Sequence, residues 1–134
     1  MENCRKILIA DDDQEDNLIM LEYFQEKGIA DIVLFVENGQ QALAYFTSLT
    51  EERDLPRLVV LDMRMPILDG VQTLTRMKQS PRLKGIPVIM LSTARDDSEQ
   101  RQALSMGALE YLVKPVTVEE GRSLIERFAS LIES

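Results

Sequence analysis

Four places in the sequence carry residue types that could do chemistry. The carboxylate run Asp11-Asp12-Asp13 follows the apolar segment Lys6 to Ala10. Asp62 follows Leu58 to Leu61, Ser92-Thr93 follows Pro87 to Leu91, and Lys114-Pro115 follows Leu109 to Val113. Carboxylates brought together repel: two unit charges about 4 Å apart cost roughly 4 kcal/mol at an effective dielectric near 20. Three of them need a cation, protonation or a spread geometry. Oxygen ligands select a hard ion, Mg²⁺ or Ca²⁺. Mg²⁺ keeps waters and takes one or two carboxylates with a phosphate, which suits a half-open rim, and no EF-hand loop is present. A metal-bound carboxylate with a lysine and a hydroxyl nearby is a constellation for phosphoryl transfer. The carboxylate is the nucleophile, while cation, ammonium and hydroxyl stabilise charge on the phosphoryl oxygens.

The elements that must position these residues follow from the apolar pattern. Five short runs rich in Val, Ile and Leu recur: Lys6 to Ala10, Ile32 to Val36, Leu58 to Leu61, Pro87 to Leu91 and Leu109 to Val113. Most show no alternation with polar residues, as strands do when both faces of a sheet are covered. Between them lie segments with helical spacing. The first carries Leu18, Leu21 and Phe24, with Gly28 placed to end it. The second begins at Asn38-Gly39 and carries Ala42, Leu43 and Phe46; the third carries Val71, Leu74 and Met77 after Asp69-Gly70. The fourth, from about Asp96 to Met106, is the least apolar. The fifth opens with the capping-box pattern Thr117 to Glu120 and sets Leu124, Ile125, Phe128 and Leu131 on one face. Residues 50–57 read as a polar loop. Strand and helix alternating five times predict an α/β fold, a five-stranded parallel sheet with helices on both faces and right-handed crossovers. In such a sheet ligands bind outside the carboxyl ends of the strands, which is where the four polar sites fall.

Composition narrows the chemistry further. The 134 residues include 23 Asp and Glu against 15 Lys and Arg, a net charge of −8, one cysteine and no histidine. The length fits a single domain, spanning 1–134 with a core from about 5 to 132 and no output domain. Cys4 alone forms no internal disulfide and no cysteine zinc site. Without histidine there is no Ser-His-Asp triad, no imidazole shuttle and no histidine metal ligand. The acidic balance argues against nucleic acid as a partner. No apolar run approaches the roughly 20 residues of a membrane span, so the sequence reads as cytoplasmic.

Each singled-out residue also has a plainer role. Asp11 to Asp13 could cap the first helix, Asp13 and Asp16 could be capping or solvated residues, and Asp62 could end a strand at a turn. Ser92 is a common N-cap type, Lys-Pro a common loop dipeptide, and Tyr111 an ordinary packing residue. The seven methionines, Met63, Met65 and Met90 among them, suit core filling. The joint pattern is what separates the readings.

The order ILIADDD, LVVLDMRMPILDG, PVIMLSTA and EYLVKP resembles the receiver domain of two-component response regulators, over about Lys6 to Leu131. The resemblance implies a flavodoxin-like (βα)₅ sandwich with strand order 2-1-3-4-5. It implies that Asp62 is the phosphoacceptor, and that Asp12 binds Mg²⁺ directly and Asp11 mainly through water. The metal would also take the Arg64 backbone carbonyl. Lys114 would pair with a phosphoryl oxygen, aimed by a cis bond to Pro115. Ser92 would be the switch hydroxyl and Tyr111 the switch aromatic, with Pro66 and Gly70 shaping the loop after the acceptor. The implied donor is a sensor histidine kinase or a histidine phosphotransfer protein, and the implied output is a protein bound through the fourth helix, fifth strand and fifth helix. The chain would catalyse only its own phosphorylation and dephosphorylation, so it is not otherwise an enzyme.

The sequence departs from the family at four positions. Ser92 replaces the commoner Thr, Thr93 stands where it would crowd the acceptor, and Arg64 and Ala94 occupy the two positions that tune phosphoryl lifetime. Three other readings remain. One is a phosphatase or phosphotransferase of the haloacid dehalogenase type, against which Arg64 stands where a second Asp is needed. Another is a phosphorylation-independent scaffold. The third is a flavodoxin, whose flavin phosphate an acidic first loop would repel.

Overall fold

The computed structural model describes residues 5–133, so Cys4 lies outside the described residues. Five strands and five helices alternate: β1 (Ile7–Ala10), α1 (Gln14–Lys27), β2 (Val33–Val36), α2 (Gly39–Ser48), β3 (Leu58–Asp62), α3 (Gly70–Gln79), β4 (Val88–Ser92), α4 (Asp97–Ser105), β5 (Glu110–Val113) and α5 (Val118–Glu133). The sheet is parallel throughout, in the order β2-β1-β3-β4-β5. The expected architecture is borne out. The strands differ from the expected runs by a residue at one or both ends: β1, β2, β4 and β5 start one residue later, and β3 and β4 extend to Asp62 and Ser92. Ile32 belongs to a short 3₁₀ turn before β2, and the polar loop holds a second such turn at Glu52–Asp54.

The unbroken apolar strands are explained by two cores. Ile7, Ile9, Leu58, Val60, Ile89 and Leu91 point to one side, where they meet Met20 and Phe24 of α1 and Leu124, Ile125 and Phe128 of α5. Leu8, Ala10, Val59, Leu61, Val88 and Met90 point to the other, against Phe46 of α2, Leu74 and Met77 of α3 and Ala103 of α4. Every residue of β1, β3 and β4 is buried, because alternate side chains enter opposite cores. Phe24 and Phe128 stack at 6.4 Å, tying α1 to α5. Burying one such side chain contributes about 1.5–3 kcal/mol.

One expectation for α1 fails. Leu18 is 62% exposed, and the buried residues of that helix are Met20 and Phe24. A spacing of three residues falls about 60° short of a full turn at each step, so Leu18, Leu21 and Phe24 spiral around the helix instead of sharing a face. The interval of four from Met20 to Phe24 stays on it.

Helix starts are set by the residues that follow the strands. Asp13, Asn38, Asp69 and Asp96 each accept a backbone N–H from three residues on. Gly28 ends α1 with φ 81°, the left-handed conformation glycine tolerates. At α5, Thr117 Oγ1 accepts from the Glu120 N–H as expected, but the Glu120 carboxylate reaches one residue further back, to the Val116 N–H at 2.9 Å. Among the described residues, no helix is long and apolar enough to cross a membrane.

Candidate functional site

Strand ends converge at one rim of the sheet. Ala10 of β1 lies in register with Leu61 of β3, so Asp11 and Asp62 emerge side by side. Both are buried, at 1% and 6% exposure. Asp12, the next residue along, is exposed. Carboxylate oxygens of Asp11, Asp12 and Asp62 lie within 4.8 Å of one another. Gly70 makes the close approach of α3 possible, since a Cβ there would fall 2.4 Å from the Asp62 carbonyl oxygen.

The repulsion expected of this cluster is met by one cation. The Lys114 ammonium lies 2.8 Å from Asp11 Oδ2, 3.2 Å from Asp62 Oδ2 and 3.0 Å from Asp16 Oδ2. Burial pulls its pKa down, but its close pairing with the Asp11 and Asp16 carboxylates, with the charges of Asp11 and Asp62, holds it above the ordinary lysine value. Burial pushes the Asp11 carboxyl up to about 6, against the opposing pairing with Lys114. Asp11 Oδ1 accepts the Asp13 N–H at 2.9 Å, whereas buried Asp11 Oδ2 has the ion pair but no aligned hydrogen bond. The donor set fits a hard divalent cation: three carboxylates, two buried and one open to solvent, with a buried oxygen whose acceptor capacity is unfilled.

The Lys114–Pro115 bond corrects the expected cis geometry: no peptide bond among the described residues is cis. Trans is favoured even before proline, by about 0.5–1 kcal/mol, and Lys114 reaches both buried carboxylates with the trans bond.

Other expected residues gather a few ångströms away, around a group that the sequence did not single out. The Ser92 hydroxyl, buried at the end of β4, donates toward the Ala94 carbonyl at 2.8 Å and toward Glu99 Oε1 at 3.1 Å. The buried Tyr111 hydroxyl donates to the same Glu99 oxygen at 2.9 Å and accepts the Asp96 N–H at 3.3 Å. Arg64 donates its backbone N–H to Asp62 Oδ1 at 3.3 Å, but its side chain, 83% exposed, turns its guanidinium to Glu99 Oε2 at 3.2 Å. Thr93 and Ala94 are exposed and line a cleft of about 290 Å³ with Arg64, Ser92 and Glu99. The loop after Asp62 carries Ile67 at φ 69°, with the Leu68 N–H bonded to the Pro66 carbonyl at 2.7 Å, a strained γ-turn on a residue 72% exposed.

Two participants, Asp16 and Glu99, were missed. Asp16 fits a solvated first-turn residue, and nothing local reveals that Lys114 comes within 3.0 Å of it. Glu99 had a signal in the spacing Asp96-x-x-Glu99, which looks like a capping box. Only half of the box forms: Asp96 accepts the Glu99 N–H at 3.0 Å, but Tyr111 takes the Asp96 N–H and leaves the Glu99 carboxylate for the interior.

Known proteins share this family and fold. The family model of the response regulator receiver domain matches residues 7–126. The chain is 34% identical to the probable methanogenesis regulatory protein FilR2 of Methanothrix harundinacea, over 90% of this chain and 78% of that protein. It is 32% identical to sporulation initiation phosphotransferase F of Bacillus subtilis, over 94% of each. Among solved structures, the phosphorylated cyanobacterial phytochrome response regulator RcpA superposes with a TM-score of 0.82 at 25% identity, covering 97% of this chain and 94% of that one. The Mn²⁺-bound form of response regulator Rcp1 gives 0.77 at 25% identity, covering 92% and 91%. A parallel sheet in this order, an acidic rim closed by one lysine and a family match across nearly the whole chain lead to one conclusion: the chain belongs to the response regulator receiver domain family.

Proposed function

We propose that this chain is a phosphoryl-accepting switch, with Asp62 as the acceptor. The observation that carries this reading is the buried Asp62 carboxylate, with the Lys114 ammonium 3.2 Å away and the Asp11 and Asp12 oxygens within 4.8 Å. The donor is a phosphohistidine on a sensor kinase or a histidine phosphotransfer protein, because this chain has no histidine of its own. An Asp62 oxygen attacks phosphorus as the phosphorus–nitrogen bond breaks, and the departing imidazole takes up a proton. Lys114 pairs with a phosphoryl oxygen, and the Ser92 hydroxyl donates to another. Asp11, Asp12 and Asp62, with the Arg64 carbonyl, would hold Mg²⁺, which supplies positive charge where the phosphoryl oxygens gather negative charge. Apart from forming and losing this acyl phosphate, the chain needs no catalysis of its own.

The adduct adds about −2 charge at the rim. Ser92 and Tyr111 then shift the population of the α4–β5–α5 surface, where a downstream protein binds. Arg64, Thr93 and Ala94, which line the cleft beside Ser92, set the lifetime of the adduct. We place this activity in the cytoplasm, in a single receiver domain acting without nucleic acid or membrane.

Incubation with Mg²⁺ and acetyl phosphate, followed by mass spectrometry, tests the proposal. The expected product is a base-labile phosphate on Asp62. No adduct, or the same adduct in Asp62→Asn, would overturn it.

A further inference from the structure

Glu99 sits in the first turn of α4 and is a surface position by sequence, yet its side chain is only 17% exposed. Its two oxygens serve three elements. Oε1 receives the Tyr111 hydroxyl of β5 at 2.9 Å and the Ser92 hydroxyl of β4 at 3.1 Å; Oε2 receives Arg64, from the loop that follows Asp62, at 3.2 Å. Ser92 has one proton to donate, and the Ala94 carbonyl at 2.8 Å competes for it. Arg64 also has its backbone N–H on Asp62, so the acceptor and the Glu99 ion pair share two residues of chain.

A phosphoryl group on Asp62 would compete with Glu99 for the same donors. It is an anion of about −2 charge, so it draws the Ser92 hydroxyl and the Arg64 guanidinium while repelling the carboxylate they would leave. We infer that Glu99 is the positioning residue of the switch. In the unphosphorylated chain its carboxylate holds Ser92, Tyr111 and Arg64, and phosphorylation of Asp62 displaces it. Because Glu99 is fixed to the first turn of α4 through the Asp96 cap, its release moves the start of that helix. The coupling between acceptor and Tyr111 therefore runs through a charged side chain of α4 and not only through the Ser92 hydroxyl. This inference rests on the proposed phosphoryl-acceptor function.

The test uses the full chain labelled with fluorotyrosine, the Tyr111 signal being assigned by its absence in Tyr111→Phe. Fluorine NMR is recorded before and after treatment with Mg²⁺ and acetyl phosphate, and adduct formation is timed by mass spectrometry. Glu99→Ala is expected to move the Tyr111 signal toward its phosphorylated position without any phosphodonor. The same variant should form adduct about tenfold faster, the equivalent of one hydrogen bond to a charged group. Glu99→Gln keeps the shape and one acceptor but loses the charge, so it should fall between wild type and Glu99→Ala, and it serves alone if the alanine variant does not fold. A Tyr111 signal unmoved in the folded variants, with rates within about twofold of wild type, less than about 0.5 kcal/mol, overturns the inference while the acceptor reading stands. Absence of an adduct in wild type is read before any variant, and it overturns both.

Discussion

Replacing Asp11 by Asn isolates the titration of a buried carboxyl in the acidic rim. Burial raises its pKa from the ordinary 3.8 to about 6, so the folded chain holds a proton that the unfolded chain releases. The stability this group contributes is therefore complete below pH 3.8 and is lost as pH rises through about 6. A gap of about two units corresponds to roughly 3 kcal/mol, or about 10 °C in Tm for a domain of this size. Other carboxyls oppose it: Glu26, held below its usual value by the hydrogen bond from Arg122, favours the folded state as pH rises. That contribution is common to both proteins and cancels in their difference. Urea melts of wild type and Asp11→Asn between about pH 4 and about pH 7 should diverge, with wild type losing more stability across the window. Added Mg²⁺ requires the ionised carboxylate, so its stabilising effect on wild type should grow over the same interval. Parallel pH profiles for the two proteins would refute the placement of a buried, proton-holding Asp11 beside Lys114.

Two further outcomes are expected. Gly70→Ala drives a methyl to within 2.4 Å of the Asp62 carbonyl oxygen and should destabilise by about 1–3 kcal/mol, seen in urea melts, while slowing adduct formation as Asp62 is displaced. Asp16→Asn removes one of three carboxylates from Lys114; Asp16 is part exposed, so the loss should be only about 1 kcal/mol. In that variant Lys114 should titrate closer to the ordinary 10.5 by NMR. The stability it contributes is present below 10.5 and lost as pH rises through its folded value, so the alkaline loss should be smaller than in wild type and complete at lower pH. An unchanged titration would show that Asp16 does not act on the lysine.

The parts of this protein that follow from local chemistry were readable in its sequence. Strands buried on both faces announce themselves as unbroken apolar runs, and strand ends carry the rim residues, so the sequence alone gathers Asp11, Asp12, Asp62 and Lys114. What was not readable depends on direction. The sequence shows that Leu18 is apolar but not that the helix turns it outward, because the core selected Met20 and Phe24 instead. The pattern Asp96-x-x-Glu99 gives the cap but not the rotation of a carboxylate into the interior, which required Tyr111 from β5 to occupy the competing N–H. Asp16 and Lys114 lie 98 residues apart and meet only through the sheet.

The position of β1 between β2 and β3 in the sheet has a kinetic consequence. Ile7 pairs with Leu58 as well as with Val33, so β1 is not completed by the strand that follows it in the chain. Closing that long loop comes before any reward from the pairing. When β1 and β3 do meet, they bring Asp11 and Asp62 together, and the lysine that neutralises them belongs to the end of the last strand. During synthesis the acidic pair must therefore exist uncompensated, or wait, until Lys114 has emerged. Until then, pairing of β1 with β3 is favoured by whatever cation can neutralise the two carboxylates.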